Sequence, residues 1–562
     1  MLTKSAAGVA AVSALCSAMM LMPGAQAATP CEALIAASFP DAKVTSAVSV
    51  PGPSFLAPNG QSYDGLPPFC RVTALSTPSP DSLINIEVWM PTSAWNHRFV
   101  GTGNGGYAGT IAVSVPTMID GLKLGFAVAS SDMGTAPSSN NDADALVGHP
   151  EKWVDWGWRS THLMTVVSKE IVNAFYAETP RFSYFDGCST GGEQALMEAQ
   201  RFPTDYNGIL GGDPANNRTH VHTALVWVYA ATHRTPGSLF TSGDTNLITN
   251  SVLAACNVKS GGLQSDPFLT DPRACTWQPS EIQCKSPTDS NCLSPDKVAA
   301  ANAIYAGPTN PSNGHLIFPG SVKGSENASL FGWTALESTP EPQFDSLFKW
   351  VFGATWLWPT FDFNQSMADV DTLLGPTLND NNTDLSAFEK NGGKLLMYHG
   401  WADPLIAPQD MIDYYLRVAA TQGSMKTPGQ QTQTFDRLQK FYRLFMVPGM
   451  NHCSGGPGPN AFGNVVSGAF VTAPPPPVND AQHHALIALQ HWVENGVAPD
   501  KIIATKYVND SPSSGIQMSR PICPYPQIPH YSGSGDPSDA KNFTCVANFS
   551  PNNPMAAPEY LQ

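Results

Sequence analysis

The sequence predicts an α/β fold, a doubly wound and mostly parallel sheet that carries one large insertion. Three observations lead there. Short apolar runs alternate with stretches of helical periodicity in both halves of the chain, the pattern of strand–helix units feeding a parallel sheet. Around residue 189 an apolar, aromatic run (Phe182, Tyr184, Phe185) passes through Gly187-Cys188-Ser189-Thr190-Gly191 into a helix-like run from Gln194 to Gln200. From about Thr219 to about Ser386 the alternation breaks, and then it resumes.

Taken in order, the region from residue 31 to residue 80 is rich in Pro, Ser and Ala and holds short strand-like pieces. Ser82 to Met90 alternates apolar and polar residues and reads as an antiparallel, half-exposed strand. Arg98-Phe99-Val100 runs into a glycine-rich loop from Gly101 to Gly109. No Lys-Ser/Thr follows it and the G-x-G-x-x-G spacing is imperfect, which argues against phosphate. Such a loop can instead turn backbone N–H groups toward an oxyanion. Gly125 to Ser131 reads as a buried strand. Trp158 to Tyr176 reads as a helix with Leu163, Val166, Val167, Ile171 and Phe175 on one stripe, and Tyr206 to Gly212 as a further strand.

The break divides the chain into a first core segment (28–218), an insertion (219–386) and a second core segment (387–562). The insertion holds a dense aromatic run: Phe348, Trp350, Phe352, Trp356, Trp358, Phe361 and Phe363. A segment placed there covers the C-terminal edge of the sheet as a lid, its aromatics shared between its own core and a ligand. The pattern resumes with a strand from Lys394 to His399, ending in Gly400-Trp401-Ala402-Asp403-Pro404, and a helix from Gln409 to Ala420. A strand from Phe441 to Val447 then ends in Pro448-Gly449-Met450-Asn451-His452-Cys453. A helix from Ala481 to Glu494, with His483 and His484 on its surface, and a strand from Ile502 to Tyr507 complete the reading.

Composition narrows the function classes. Of the 562 residues, 42% are hydrophobic and 10% aromatic, ample for a packed core. The net charge is −16 and no Lys/Arg block occurs, which argues against a nucleic-acid partner. Lys4, the apolar run Ala6 to Leu21 and Ala25-Gln26-Ala27 match a secretory signal peptide over residues 1–27. No later segment offers about 18 apolar residues in a row, so the expectation is a soluble exported protein, periplasmic or extracellular, with no membrane partner. Cleavage removes Cys16 and leaves ten of the 11 cysteines, an even set that points to disulfides. Cys256 with Cys275, Cys284 with Cys292, and Cys523 with Cys545 are close in sequence, and Cys31 and Cys70 bracket the mature N-terminal segment. Cys188 and Cys453 remain. No C-x-x-C pair occurs, which argues against zinc.

The G-x-S-x-G match sits between strand and helix, where a nucleophile elbow holds a serine out at a helix N-terminus. Its bland alternative is a glycine-rich turn with a capping serine. Acyl transfer by serine needs a base to take the Oγ proton, an acid to fix that base, and donors for the oxyanion. Asp403 and His452 each follow a strand, in the order Ser, Asp, His of α/β-hydrolases. His399 inside its strand, and Asp410 and Asp413 on the next helix, are weaker candidates. If Cys188 bonds Cys453, their Cα atoms lie within about 4.4–6.8 Å, which forces the neighbours Ser189 and His452 together.

With these motifs the chain resembles the tannase/feruloyl esterase family of secreted α/β-hydrolases over essentially the whole mature sequence. The resemblance rests on Cys188-Ser189, on Asp403 in its His-Gly-Trp-Ala-Asp-Pro turn, and on His452-Cys453. It implies Ser189 as nucleophile, His452 as general base and Asp403 as orienting acid. It also implies an oxyanion hole from the N–H of Thr190 and of Gly105 or Gly106, and its usual bridges match the other four cysteine pairs. The implied substrates are small aromatic esters of plant cell-wall or tannin origin. A feruloyl ester is the first choice, with galloyl esters and the mono-hydroxyethyl ester of terephthalate as rivals and a non-catalytic binding protein as the alternative of another class. No cofactor is required. Family lids carry a calcium loop between the cysteines matching Cys256 and Cys275. Here Asn257, Ser260 and Lys259 stand among its acidic positions, and only Asp266 and Asp271 remain as anionic ligands, which argues against the ion.

Overall fold

Nine strands hydrogen-bond into one central sheet in the computed structural model, which describes residues 28–464 and 473–548. The expected signal peptide at 1–27 lies outside the described residues. In chain order the strands are β1 (Lys43–Val50), β2 (Phe69–Ser76), β3 (Ile84–Pro91), β4 (Arg98–Thr102), β5 (Ala127–Ser131), β6 (Phe182–Cys188), β7 (Gly208–Gly212), β8 (Lys394–Gly400) and β9 (Tyr442–Val447). Their spatial order is β1-β2-β3-β5-β4-β6-β7-β8-β9. The first three pairings are antiparallel; from β5 onward every pairing is parallel. Parallel neighbours bring the loops after β4, β6, β7, β8 and β9 to one edge, where α/β sheets bind ligands.

Helices cover both faces, which is why the parallel strands are apolar almost throughout. On one face α2 (Ser160–Tyr176), α3 (Thr190–Arg201) and α8 (Pro408–Gln422) pack Val167, Ile171, Leu196 and Met411 against Phe99, Phe185, Ile209 and Leu395. On the other face α1 (Val115–Lys123) and α9 (Ala485–Asn495) set Met118, Leu122, Leu486 and Trp492 against Val100, Tyr184, Leu210 and Leu396.

The expected strand at Ile502–Tyr507 forms with those bounds, outside the central sheet and paired antiparallel with Ile516–Ile522 in a separate ribbon. Two expectations need correction. β3 is not half exposed: it lies between β2 and β5, and only Asn85 of its eight residues is exposed. α9 begins at Ala485 rather than Ala481, and His484 is a buried residue at its start, Nε2 3.3 Å from Asp120 Oδ2, not a surface group.

Between β7 and β8 the chain builds a second layer with its own core. It includes α4 (Arg218–Thr232), α5 (Ser242–Cys256), α6 (Pro295–Ala306) and α7 (Gln365–Leu378). Leu225, Val252, Trp277, Ile304, Trp333 and Val370 fill it, joined by Tyr107 and Trp156 from the first core segment. Five disulfides tie the described chain: Cys31–Cys70, Cys188–Cys453, Cys256–Cys275, Cys284–Cys292 and Cys523–Cys545.

Candidate active site

Ser189 sits in the turn from β6 to α3 with φ 66° and ψ −118°, a conformation a serine adopts only under constraint. The constraint is close packing of backbones. A Cβ on Gly103 would come within 2.5 Å of the Gly191 Cα, and one on Gly187 within 2.8 Å of the same atom. Loop, strand and helix therefore touch without side chains between them.

The loops after β8 and β9 complete a chain of hydrogen bonds. Ser189 Oγ is 2.9 Å from His452 Nε2, and His452 Nδ1 is 2.7 Å from Asp403 Oδ2. Facing a carboxylate, Nδ1 is the donor, which leaves Nε2 of the neutral ring to accept the serine proton. Asp403 Oδ1 accepts the N–H groups of Leu405 and Ile406 at 2.8 and 3.1 Å. Cys188 and Cys453 are bonded with Cα atoms 6.0 Å apart, so the residues next to them are held as neighbours. Asp410 and Asp413 are buried on α8 and take no part in this chain.

Of two further residues at the site, the sequence offers His399 only as a weaker candidate and does not single out Asp213. His399, second-last in β8, is not a bystander in its strand: Nε2 is 3.3 Å from Asp403 Oδ2, 3.6 Å from Asp213 Oδ1 and 3.1 Å from the Ile406 carbonyl. Asp213 follows β7 and accepts the Gly400 N–H at 2.9 Å. The spacing of His399 and Asp403, four residues across a tight turn, was the available signal; Asp213 offered none. Burial pushes the Asp213 carboxyl up to about 7 against the pull of His399. For Asp403 burial acts the same way, but His452 and His399 outweigh it and hold the carboxyl well below the usual range. Burial also disfavours the His452 cation, yet the Asp403 and Asp213 carboxylates overcome it and raise the imidazole above its ordinary value.

The backbone N–H groups of Thr190, Gly105 and Gly106 have no acceptor among the described residues. Gly106 has φ +53°, and a Cβ there would lie 1.9 Å from the Asn140 carbonyl oxygen, so only glycine fits. Gly105 and Gly106 border a cavity of about 190 Å³ with Ser189 and His452, and Thr190 directly follows Ser189. Its apolar wall is Leu330, Phe331, Phe344 and Leu405; its polar groups include Asn140, Asn141, Ser329 and Asp510. Ser189, Phe331, Phe344, Cys453 and Asp510 line it with φ between 53° and 66°, a concentration of left-handed non-glycine backbone. Such strain persists where the surroundings over-determine a site. The dense aromatic run of the insertion does not reach the cavity: Phe348, Trp350, Trp356 and Phe361 are buried in the insertion's own core. Phe331 and Phe344, just before that run, supply the rings, Phe331 edge-on to His452 at 5.8 Å.

The loop between Cys256 and Cys275 does not fit a calcium ion. Asp266 Oδ1 is 2.9 Å from Arg520 Nη2 and its Oδ2 accepts the Leu263 N–H at 2.9 Å. Asp271 Oδ2 is 2.7 Å from Arg273 Nη2. Both carboxylates are thus neutralised by guanidinium groups. The buried, unpartnered Asn257 Oδ1 is one neutral oxygen, whereas calcium takes six to eight, several of them anionic.

The chain matches the family model for tannase and feruloyl esterase over residues 70–546. An uncharacterized esterase of Xanthomonas campestris is 35% identical over 552 residues, covering 94% of this chain and 92% of its own. The Aspergillus flavus protein named Probable feruloyl esterase B-2 is 33% identical over 468 residues, 81% of this chain and 83% of its own. The crystal structure of feruloyl esterase B from Aspergillus oryzae superposes with a TM-score of 0.78 at 28% identity, covering 92% of this chain and 99% of that one. By sequence and by fold, the chain belongs to the tannase and feruloyl esterase family and is an α/β-hydrolase acting as a carboxylic ester hydrolase.

Proposed function

We propose that this protein is a secreted serine esterase that cleaves esters of aromatic acids through an acyl-enzyme, with a feruloyl ester as substrate. The observation that carries the reading is the ring-walled cavity lined by Ser189, His452 and the unpaired Gly105 and Gly106 N–H groups. In this reading Ser189 Oγ attacks the ester carbonyl while His452 takes its proton, with Asp403 fixing the imidazole and balancing its charge. The tetrahedral oxyanion meets the N–H of Thr190 and of Gly105 or Gly106. His452 then hands the proton to the departing alcohol, and water, activated by the same imidazole, releases the acid.

The cavity's chemistry supports ferulate over its rivals. Terephthalate leaves a free carboxylate to be bound, yet no Lys or Arg lines the cavity among the described residues, and the acidic residue that does, Asp510, is paired with Lys506 at 2.6 Å. A galloyl ring brings three hydroxyls and a feruloyl ring one; Asn140 Oδ1, buried without a partner, suits a single phenol. The insertion acts as the lid that closes this cavity. Turnover of methyl ferulate, methyl gallate and the terephthalate monoester ranks the three, with ferulate expected highest; no turnover of any would sink the reading. Export is tested by expressing the full chain and sequencing the N-terminus of the recovered protein, expected at Ala28.

A further inference from the structure

The Gly106 peptide is gripped from every side. Its carbonyl oxygen accepts two hydrogen bonds, from the Thr190 hydroxyl at 3.0 Å and from the Trp156 indole N–H at 3.1 Å. The N–H at the other end of that peptide, on Tyr107, donates to the Asn140 carbonyl at 3.0 Å. Arg218, buried at the first turn of α4, donates to Thr190 Oγ1 at 3.3 Å and to Glu193 Oε2 at 3.1 Å, and its guanidinium lies 4.6 Å from the Trp156 ring centroid. One buried cation therefore contacts both donors that hold the Gly106 carbonyl. The insertion makes a second grip on the same loop: the Tyr107 hydroxyl donates to the Phe344 carbonyl at 2.9 Å and accepts the Leu347 N–H at 3.1 Å.

A serine esterase has no need of this arrangement to bind substrate, since neither Arg218 nor Trp156 lines the cavity. What it does is fix the orientation of the peptide that follows the Gly105–Gly106 N–H groups. An oxyanion donor is worth most when it is already aimed, because reorientation then adds nothing to the barrier. A glycine-rich loop left to itself has the opposite tendency, with more freedom to lose than any other sequence. The side-chain clamp supplies the order that the glycines cannot.

We infer that the Thr190 hydroxyl, Trp156 and Arg218 are positioning residues for the oxyanion hole, and that Arg218 makes the hole's geometry depend on the seating of the inserted layer. This rests on the serine-esterase reading but not on the identity of the acyl group. Arg218 acts through Thr190 and Trp156 without touching substrate. The clamp predicts losses in kcat with little change in KM, because ground-state binding uses the cavity wall while the hole acts on the transition state.

The test uses Thr190→Val, Thr190→Ser and Arg218→Lys in the full chain, with p-nitrophenyl acetate as a small ester that does not require an aromatic acyl pocket. Thr190→Val keeps the shape and the N–H but removes the hydroxyl. The expected result is a fall in kcat of about tenfold or more with KM within about twofold. A trifluoromethyl ketone, which forms a hemiketal oxyanion on Ser189, should bind more weakly by a similar factor. Thr190→Ser should restore most of the loss, and Arg218→Lys, which cannot span Thr190 and Glu193 with one planar group, should fall between. Unchanged kcat in Thr190→Val with an intact melting transition would overturn the inference. So would a loss carried by KM with ketone binding unaffected. Failure of the aromatic-ester reading would appear separately, as wild-type turnover of p-nitrophenyl acetate without turnover of any aromatic ester.

Discussion

At the residue scale the chemistry lies in a few side chains whose ionisation the surroundings decide. Ser189→Ala removes the attacking oxygen and should abolish ester hydrolysis, by at least about 10³-fold, with the melting transition unchanged. Retained turnover would exclude Ser189 as nucleophile. In the proposed reaction His452 must be neutral to accept the serine proton, so kcat/KM should rise as pH climbs through its pKa. Because Asp403 and Asp213 raise that pKa, the acid limb should lie above the ordinary imidazole range. Asp213→Asn keeps the acceptor for the Gly400 N–H but removes one carboxylate. It should move the acid limb to lower pH, and an unmoved profile would show that Asp213 carries no charge that His452 feels. Ser189, Asp403 and His452 could be read from the sequence because each follows a strand and two adjoin cysteines. His399 was legible only as a weaker candidate, through its spacing to Asp403, and Asp213 not at all, since its place comes from the pairing of β7 with β8, a relation between distant segments that no local pattern encodes.

Elements set those side chains in register. The elbow was legible because its glycines, apolar strand and helix are contiguous, and the backbone contacts among Gly103, Gly187 and Gly191 give the physical reason for each glycine. Element boundaries were less legible. The strand at 502–507 has the composition of a sheet strand, yet it pairs in a ribbon beside the sheet, and composition does not distinguish the two. The aromatics of the insertion were ambiguous in a similar way: their density marks a core as readily as a ligand site, and most fill the core. The Cys188–Cys453 bridge joins β6 to the loop after β9, with two other strands, β7 and β8, between them in the sheet. Replacing both cysteines by serine should lower the melting temperature by several degrees, consistent with about 2–4 kcal/mol for a native bridge. It should also lower kcat, since the imidazole then depends on its loop alone. Unchanged activity would mean that the bridge stabilises the fold without positioning His452.

For the whole molecule, the question is how the inserted layer stays seated on the sheet. Two arginines cross that boundary in opposite senses. Arg520, on the strand Ile516–Ile522, reaches Asp266 in the insertion, and Arg273 of the insertion lies 5.0 Å from the Trp401 ring centroid beside the Asp403 turn. This fastening should be indifferent to chelators: EDTA is expected to leave the melting temperature and kcat unchanged, and a marked fall would show a bound cation. Arg520→Met, by leaving the Asp266 carboxylate buried and unpaired, should destabilise by about 3–5 kcal/mol, read as a lower denaturation midpoint. The insertion itself was legible as a break in the strand–helix rhythm, because alternation is a whole-chain signal. Its docking was not, because Arg520 and Asp266 are 254 residues apart.

The bridge between Cys188 and Cys453 encloses 265 residues of separation, and the entire inserted layer lies within that span. Topologically the chain is a closed ring with two tails. A protease that cuts the ring once, at an exposed loop such as that around Asn313, opens it but frees neither tail. The fragments should stay one covalent species on a non-reducing gel and part only under reduction, with Ser189 on one piece and His452 on the other. A single cut in that loop need not separate Ser189 from His452.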